Sequence, residues 1–128
     1  MRLLLDTHAL LWWLAGDPGL SPRARSAIGH RGNEVFISAA SAWEVATKVR
    51  LGKLANAGPL GVDFEGTVRA QGFQPLVITL GHAQAAGALP DAHRDPFDRL
   101  LAVQAREERM ALVSNETFFA RHGIQRIW

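Results

Sequence analysis

Neither cysteine nor tyrosine occurs among the 128 residues of the chain. Without cysteine there is no disulfide framework, no zinc–thiolate or iron–sulfur site and no thiol nucleophile. That suits a reducing compartment. Long apolar runs are missing as well. Leu3-Leu4-Leu5 follows Arg2 in the manner of a secretory signal, but Asp6 and His8 interrupt the run and Asp17-Pro18 ends it. No stretch approaches the ~20 apolar residues of a membrane span, and no small-residue cleavage site follows. The expectation is a soluble, cytoplasmic protein without membrane attachment. A strong charge of one sign is also lacking: 14 Lys and Arg stand against 12 Asp and Glu, a net charge of +2. The pI of 9.9 is high because no Tyr or Cys titrates below the Lys and Arg range. All basic residues but Lys48 and Lys53 are Arg, whose planar fork suits phosphate. There is no Gly-rich loop ending in Lys-Ser/Thr and no Gly-x-Ser-x-Gly elbow.

What is there reads as one globular domain over residues 1–128. Apolar residues make up 48% and charged residues 20%, ordinary globular values, and this length supports a real core. Residues 3–5 are too short a run for a helix and suit a strand buried on both faces. Residues 7–15 read as a helix ended by Gly16-Asp17-Pro18-Gly19. Ser21-Pro22 opens a second helix reaching about residue 30. A strand over 35–37 precedes a helix over 38–50, a loop over 56–61 and a helix over 62–71. A third strand follows at 76–78, then a short helix at 81–88 and a loop at 89–95. The clearest helix spans 96–109. A strand at 111–113, a short helix at 115–122 and a closing strand within 124–128 complete the chain. Strands alternating with helices predict a parallel sheet covered on both faces.

The acids carry the chemistry. Asp6 closes the first strand, Glu44 lies on the helix after the second, and Asp98 and Glu116 open the helices around the fourth. The carboxyl ends of parallel strands form the site-bearing edge of such a sheet. Glu44, Asp98 and Glu116 each also have a structural account, because acids favour first helical turns. Ser41-x-x-Glu44 has capping-box spacing, and Glu44 precedes Lys48 by four residues. Asp95-Pro96-Phe97-Asp98 reads as an N-cap, a proline at N1 and an acid at N3. Asp6 is the exception, since an acid closing a buried strand is costly unless paired or liganded. On the helix that follows, Phe97, Leu100, Leu101 and Gln104 define an inward stripe with Asp98 at its margin, Arg99 and Arg106 marking the solvent face. Glu44 lacks comparable support, its helix directing Ala42, Val45, Ala46 and Val49 inward. Four gathered carboxylates repel one another unless cations lie among them. Oxygen ligands select Mg²⁺ or Mn²⁺, which suits phosphodiester hydrolysis by a metal-activated water. The five histidines, His8, His30, His82, His93 and His122, show no ligand-type pairing and read as surface or capping residues. Trp12 and Trp13 lie ~100° apart on their helix, so that one can enter the core while the other meets a partner, or both are buried at its margins.

Four stretches carry a resemblance: Leu3-Leu4-Leu5-Asp6-Thr7-His8; residues 38–48 with Trp43-Glu44; His93-Arg94-Asp95-Pro96-Phe97-Asp98-Arg99-Leu100-Leu101; and Leu112-Val113-Ser114-Asn115-Glu116 through to Trp128. In order and spacing the chain resembles PIN-domain proteins of the VapC type, the toxins of bacterial toxin–antitoxin pairs. The resemblance implies a three-layer α/β/α fold with a parallel sheet ordered 3-2-1-4-5. It implies a metal-dependent endoribonuclease using Mg²⁺ or Mn²⁺, with acids on Asp6, Glu44 and Asp98. It also implies RNA as substrate, a homodimer, and an antitoxin whose C-terminal segment covers the site. The family's fourth acid is usually Asp in a Val-Thr-x-Asp context; here Glu116 follows Ser114-Asn115, which separates this chain from the usual pattern. Thr7 and Ser114 are candidate supports. The competing reading is a non-catalytic PIN-like module that binds RNA or protein.

Overall fold

The computed structural model describes residues 1–55 and 57–128. The strands are β1 (Arg2–Leu5), β2 (Glu34–Ser38), β3 (Gln74–Leu76), β4 (Ala111–Val113) and β5 (Arg126–Ile127). The helices are α1 (Thr7–Ala15), α2 (Pro22–Gly29), α3 (Ala39–Arg50), α4 (Phe64–Ala70), α5 (Leu80–Ala88) and α6 (Pro96–Glu107). Two 3-10 turns, Gly58–Gly61 and Thr117–His122, complete the described elements. All five strands form one parallel sheet ordered β3-β2-β1-β4-β5.

Strand periodicity divides the core into two layers. Leu3, Leu5, Val35, Ile37, Ala111 and Val113 point to one face, where they meet Ala9 and Leu10 of α1, Ala24 and Ile28 of α2, Val45 of α3 and Val68 of α4. Leu4, Phe36 and Leu112 point to the other, against Ala86 of α5, Leu101 and Ala105 of α6, and Phe118 and Phe119. Leu3, Leu4 and Leu5 are all fully buried, as expected of a central parallel strand. Its register aligns Leu5 with Ile37 on one side and Val113 on the other. Asp6 and Ser114, which follow β1 and β4, and Ser38, the last residue of β2, therefore come to a common edge.

Most boundaries fall within a residue or two of those read from the sequence, and the differences have local causes. The third strand pairs at Gln74–Leu76, two residues before the apolar Leu76-Val77-Ile78 run. Pro75 sits in it because β3 is an edge strand, where a missing N–H costs no ladder bond; Val77 is left 69% exposed. Asp63 caps α4 through the Gly66 N–H, so that helix starts at Phe64 rather than at 62. The segment after β4 is a 3-10 turn beginning at Thr117, with Glu116 at its cap position. α6 stops at Glu107 because Arg109 turns to φ 55°, the left-handed region. Of the loop expected over 56–61, residues 58–61 form a 3-10 turn and Asn56 lies outside the described residues.

Candidate active site

Asp6 leaves the end of β1 and caps α1, one carboxylate oxygen accepting the Ala9 N–H at 2.8 Å. Its side chain is buried. Burial pushes its pKa up to about 6 from the ordinary 3.8. The Ser114 hydroxyl, the Ala9 N–H and His8 oppose that rise, while the charge on Asp98 adds to it. Asp6 is thus both the cap and a desolvated acid facing another acid.

Glu44 is buried, contrary to the inward stripe expected for its helix. The buried residues of α3 are Ala40, Ser41, Glu44 and Val45, while Val49 is 40% exposed. The reason is polar. Thr7 Oγ1 lies 2.6 Å from Glu44 Oε1 and 3.0 Å from Ser41 Oγ, so Thr7 donates to the carboxylate and Ser41 donates to Thr7. Lys48 Nζ donates to Glu44 Oε2 at 2.6 Å, the pair expected four residues apart. The capping box expected at Ser41 does not form, because Ser38 caps α3 through the Ala40 N–H. Thr7 is therefore a first-turn residue that holds Glu44, and the cap is its neighbour Asp6.

Asp98 stands in the first turn of α6, behind the Asp95 cap, which accepts from the Phe97 and Asp98 N–H groups. Its pKa is raised, first by burial, with Asp95 and Glu44 adding repulsion and His93 opposing it. The His93 ring, stacked on Phe118, brings Nε2 to 2.8 Å from Asp98 Oδ2. His93, expected at the surface or as a cap, is instead paired with a candidate site acid. His82 does cap, as expected: buried, it completes a capping box with Thr79 and reaches Glu108 at 3.0 Å. Arg99, expected to mark the solvent face, is half-buried and turned back onto backbone carbonyls. Trp43, next to Glu44, is exposed and meets Phe97 edge-on at 5.0 Å.

Glu116 is exposed, and its side chain makes no capping bond. Its backbone N–H donates to the buried Ser114 Oγ at 3.0 Å. Asp6, Asp98 and Glu44 form a chain in which each acid feels the next. All offer oxygen alone, the donor chemistry of Mg²⁺ and Mn²⁺, and a cation among them would relieve the repulsion that burial magnifies. Among the described residues, no three Asp, Glu or His side chains lie close enough to enclose an ion unaided. Alongside runs a cavity of about 660 Å³ between α1, the end of α3 and the first 3-10 turn, lined by Thr7, Trp12, Lys48 and Lys53 among others. Trp12 packs against His8 and Trp128, whereas Trp13 turns to Phe73 and donates to Gln71.

The PIN domain family model matches residues 3–124. Ribonuclease VapC22 of Mycobacterium tuberculosis is 32% identical over 121 residues, covering 94% of this chain and 91% of the relative. Of solved structures, VapBC2 from Rickettsia felis bound to a promoter DNA fragment superposes with a TM-score of 0.71 at 16% identity. That match covers 98% of this chain and 97% of the other. VapBC-1 from nontypeable Haemophilus influenzae gives 0.62 at 14% identity, over 98% and 96% of the two chains. These two likenesses establish the shared fold; the family model and the 32% identical relative establish more, and the chain belongs to the PIN domain family.

Proposed function

We propose that the chain is a metal-dependent endoribonuclease, the toxin of a toxin–antitoxin pair, acting in the cytoplasm as a homodimer. The observation that carries this reading is Asp6, a buried acid at the end of the central strand, raised to about 6 and facing Asp98. The ribonuclease relative supports RNA as the substrate. A bound Mg²⁺ or Mn²⁺ would supply an activated water and offset charge on the phosphate. Asp6 and Asp98 would hold the ion; Mg²⁺ commonly takes only one or two carboxylates and completes its shell with water and substrate phosphate. Glu44, fixed by Thr7 and Lys48, would complete the donor set or orient the attacking water. Glu116 would act from the rim, through water or at a second ion. Cleavage would leave a 5′-phosphate and a 3′-hydroxyl.

The test is Mn²⁺-dependent cleavage of an RNA panel, with Asp6→Asn as control, beside growth on expression. Cleavage and growth arrest by the wild-type protein alone are expected. Neither activity in the wild-type protein would leave the non-catalytic binding module as the better reading. For the antitoxin, the cavity along α1 offers an apolar wall with Trp12 as anchor. Its C-terminal segment would lie there, a basic side chain reaching the acids. Co-expression with the neighbouring reading frame should give a stable, nuclease-silent complex; two separable proteins and undiminished cleavage would refute it.

A further inference from the structure

The segment between α5 and α6 has no regular secondary structure, yet it is fastened at several points. Arg99 of α6 places all five of its N–H donors on backbone carbonyls. Nε meets Ala86 O at 3.0 Å, and Nη1 meets Asp91 O and His93 O at 2.9 Å each. Nη2 meets Leu89 O at 2.7 Å and Gly87 O at 3.4 Å. Asp91 accepts the His93 N–H at 2.8 Å, and its other oxygen meets His122 Nε2 at 3.0 Å. The His93 ring lies nearly parallel to that of buried Phe118, at 14° with centroids 4.0 Å apart. Backbone and ring face are thus both fixed, and Nε2 is delivered to Asp98 Oδ2 at 2.8 Å.

We propose that His93 is a positioning residue: its Nε2–H holds the Asp98 carboxylate by Oδ2 and leaves the second oxygen for the divalent cation. The inference rests on the nuclease reading above. Its physical basis is general. A free carboxylate rotates about its last bond, so an ion must select one orientation; a fixed N–H donor removes that choice in advance, and such supports commonly matter about 10–100-fold in metal affinity or activity. Arg99 acts one step further back, by fixing the carbonyls on both sides of the loop that carries His93.

The experiment is calorimetric titration of the full chain with Mn²⁺ alone, alongside steady-state RNA cleavage. His93→Phe keeps a ring on Phe118 and removes only the donor; His93→Ala removes both, and whichever of the two folds is read. Mn²⁺ affinity should fall about 10–100-fold, and kcat should fall while KM for RNA holds. His93→Gln, which restores an N–H donor, should recover most of the loss. In an Asp98→Asn background, removing His93 should cost no further affinity. Wild-type Mn²⁺ affinity in a folded His93→Phe or His93→Ala protein would overturn the proposal, as would an undiminished loss in the Asp98→Asn background. If the wild-type protein itself binds no Mn²⁺ and cleaves no RNA, the nuclease reading fails together with this one. A wild type that binds and cleaves, with a His93 variant indistinguishable from it, sinks this inference alone.

Discussion

Asp6 shows how one residue serves fold and chemistry at opposite signs of energy. Its carboxylate caps α1, a favourable contact, while burial beside Asp98 makes its charge unfavourable. Asn caps a helix as well as Asp does. Asp6→Asn should therefore abolish cleavage and, in chelator, raise stability by about 1–3 kcal/mol, measured by urea denaturation. The pH dependence follows. With a folded pKa of about 6 against 3.8 for the ordinary carboxylate, the native state keeps a proton that the unfolded chain loses across that window. Asp6 therefore lowers stability as pH rises from about 4 to about 6 and adds no further slope above it. Asp6→Asn should flatten that segment of the profile. Glu116 gives a contrasting prediction. Exposed and uncapped, it should tolerate Glu116→Gln with a much smaller loss of cleavage than Asp6→Asn, and Glu116→Asp should keep or raise the rate. A Glu116→Gln protein as dead as Asp6→Asn would make Glu116 a direct ligand. As a candidate, Asp6 was legible in the sequence because an acid closing a buried strand is costly unless paired or liganded, whereas its structural role as the cap of α1 was not. His93 was not: its partner ring, Phe118, is distant in sequence, and the two meet only because an irregular loop is tied down.

At the scale of elements, the His-Arg-Asp-Pro-Phe-Asp-Arg stretch divides its labour. Asp95 caps, Pro96 takes N1, Phe97 meets Trp43, Asp98 faces the acids, and Arg99 reaches back to the loop. Losing the cap in Asp95→Ala should cost about 0.5–2 kcal/mol and leave cleavage largely intact, whereas Asp98→Asn should lose cleavage without losing apo stability. Thermal melts with and without Mn²⁺ beside an RNA assay separate the two; a stable but inactive Asp95→Ala with an active Asp98→Asn would exchange their roles. The other end of α6 offers a stability gain. Arg109 holds φ 55°, a conformation costing a side-chain-bearing residue about 1–2 kcal/mol. Glycine pays roughly 0.4–1 kcal/mol in the unfolded chain, so Arg109→Gly should gain on the order of 0.5 kcal/mol, visible as a raised denaturation midpoint. Caps and prolines made α6 readable residue by residue. Apolar periodicity alone does not give the buried face of α3, which is Ala40, Ser41, Glu44 and Val45. Val49 faces solvent instead, and the Thr7 and Ser41 hydroxyls draw Glu44 inside.

For the whole molecule, the alternation of strands and helices was enough for a parallel sheet covered on both faces. The strand order came with the family resemblance, because periodicity says which residues are buried but not which strands are neighbours. That order has a consequence for how the protein is made. β1, at residues 2–5, is the central strand, and its β4 neighbour is contributed by residues 111–113, more than a hundred residues later. A nascent chain halted at residue 110 already contains Asp6, Glu44 and Asp98. It has nothing to pair the second edge of β1, and α6 lacks Leu112 and Phe119 to pack against. Such non-local pairing comes late and slowly in folding. A chain truncated at residue 110 should therefore be protease-sensitive, bind no Mn²⁺ and leave RNA uncut, whereas a compact, active fragment would refute the argument. The active edge would then come into being only once residues 111–113 are free to pair β1, and a nascent chain carrying all three acids would stay harmless until they emerge.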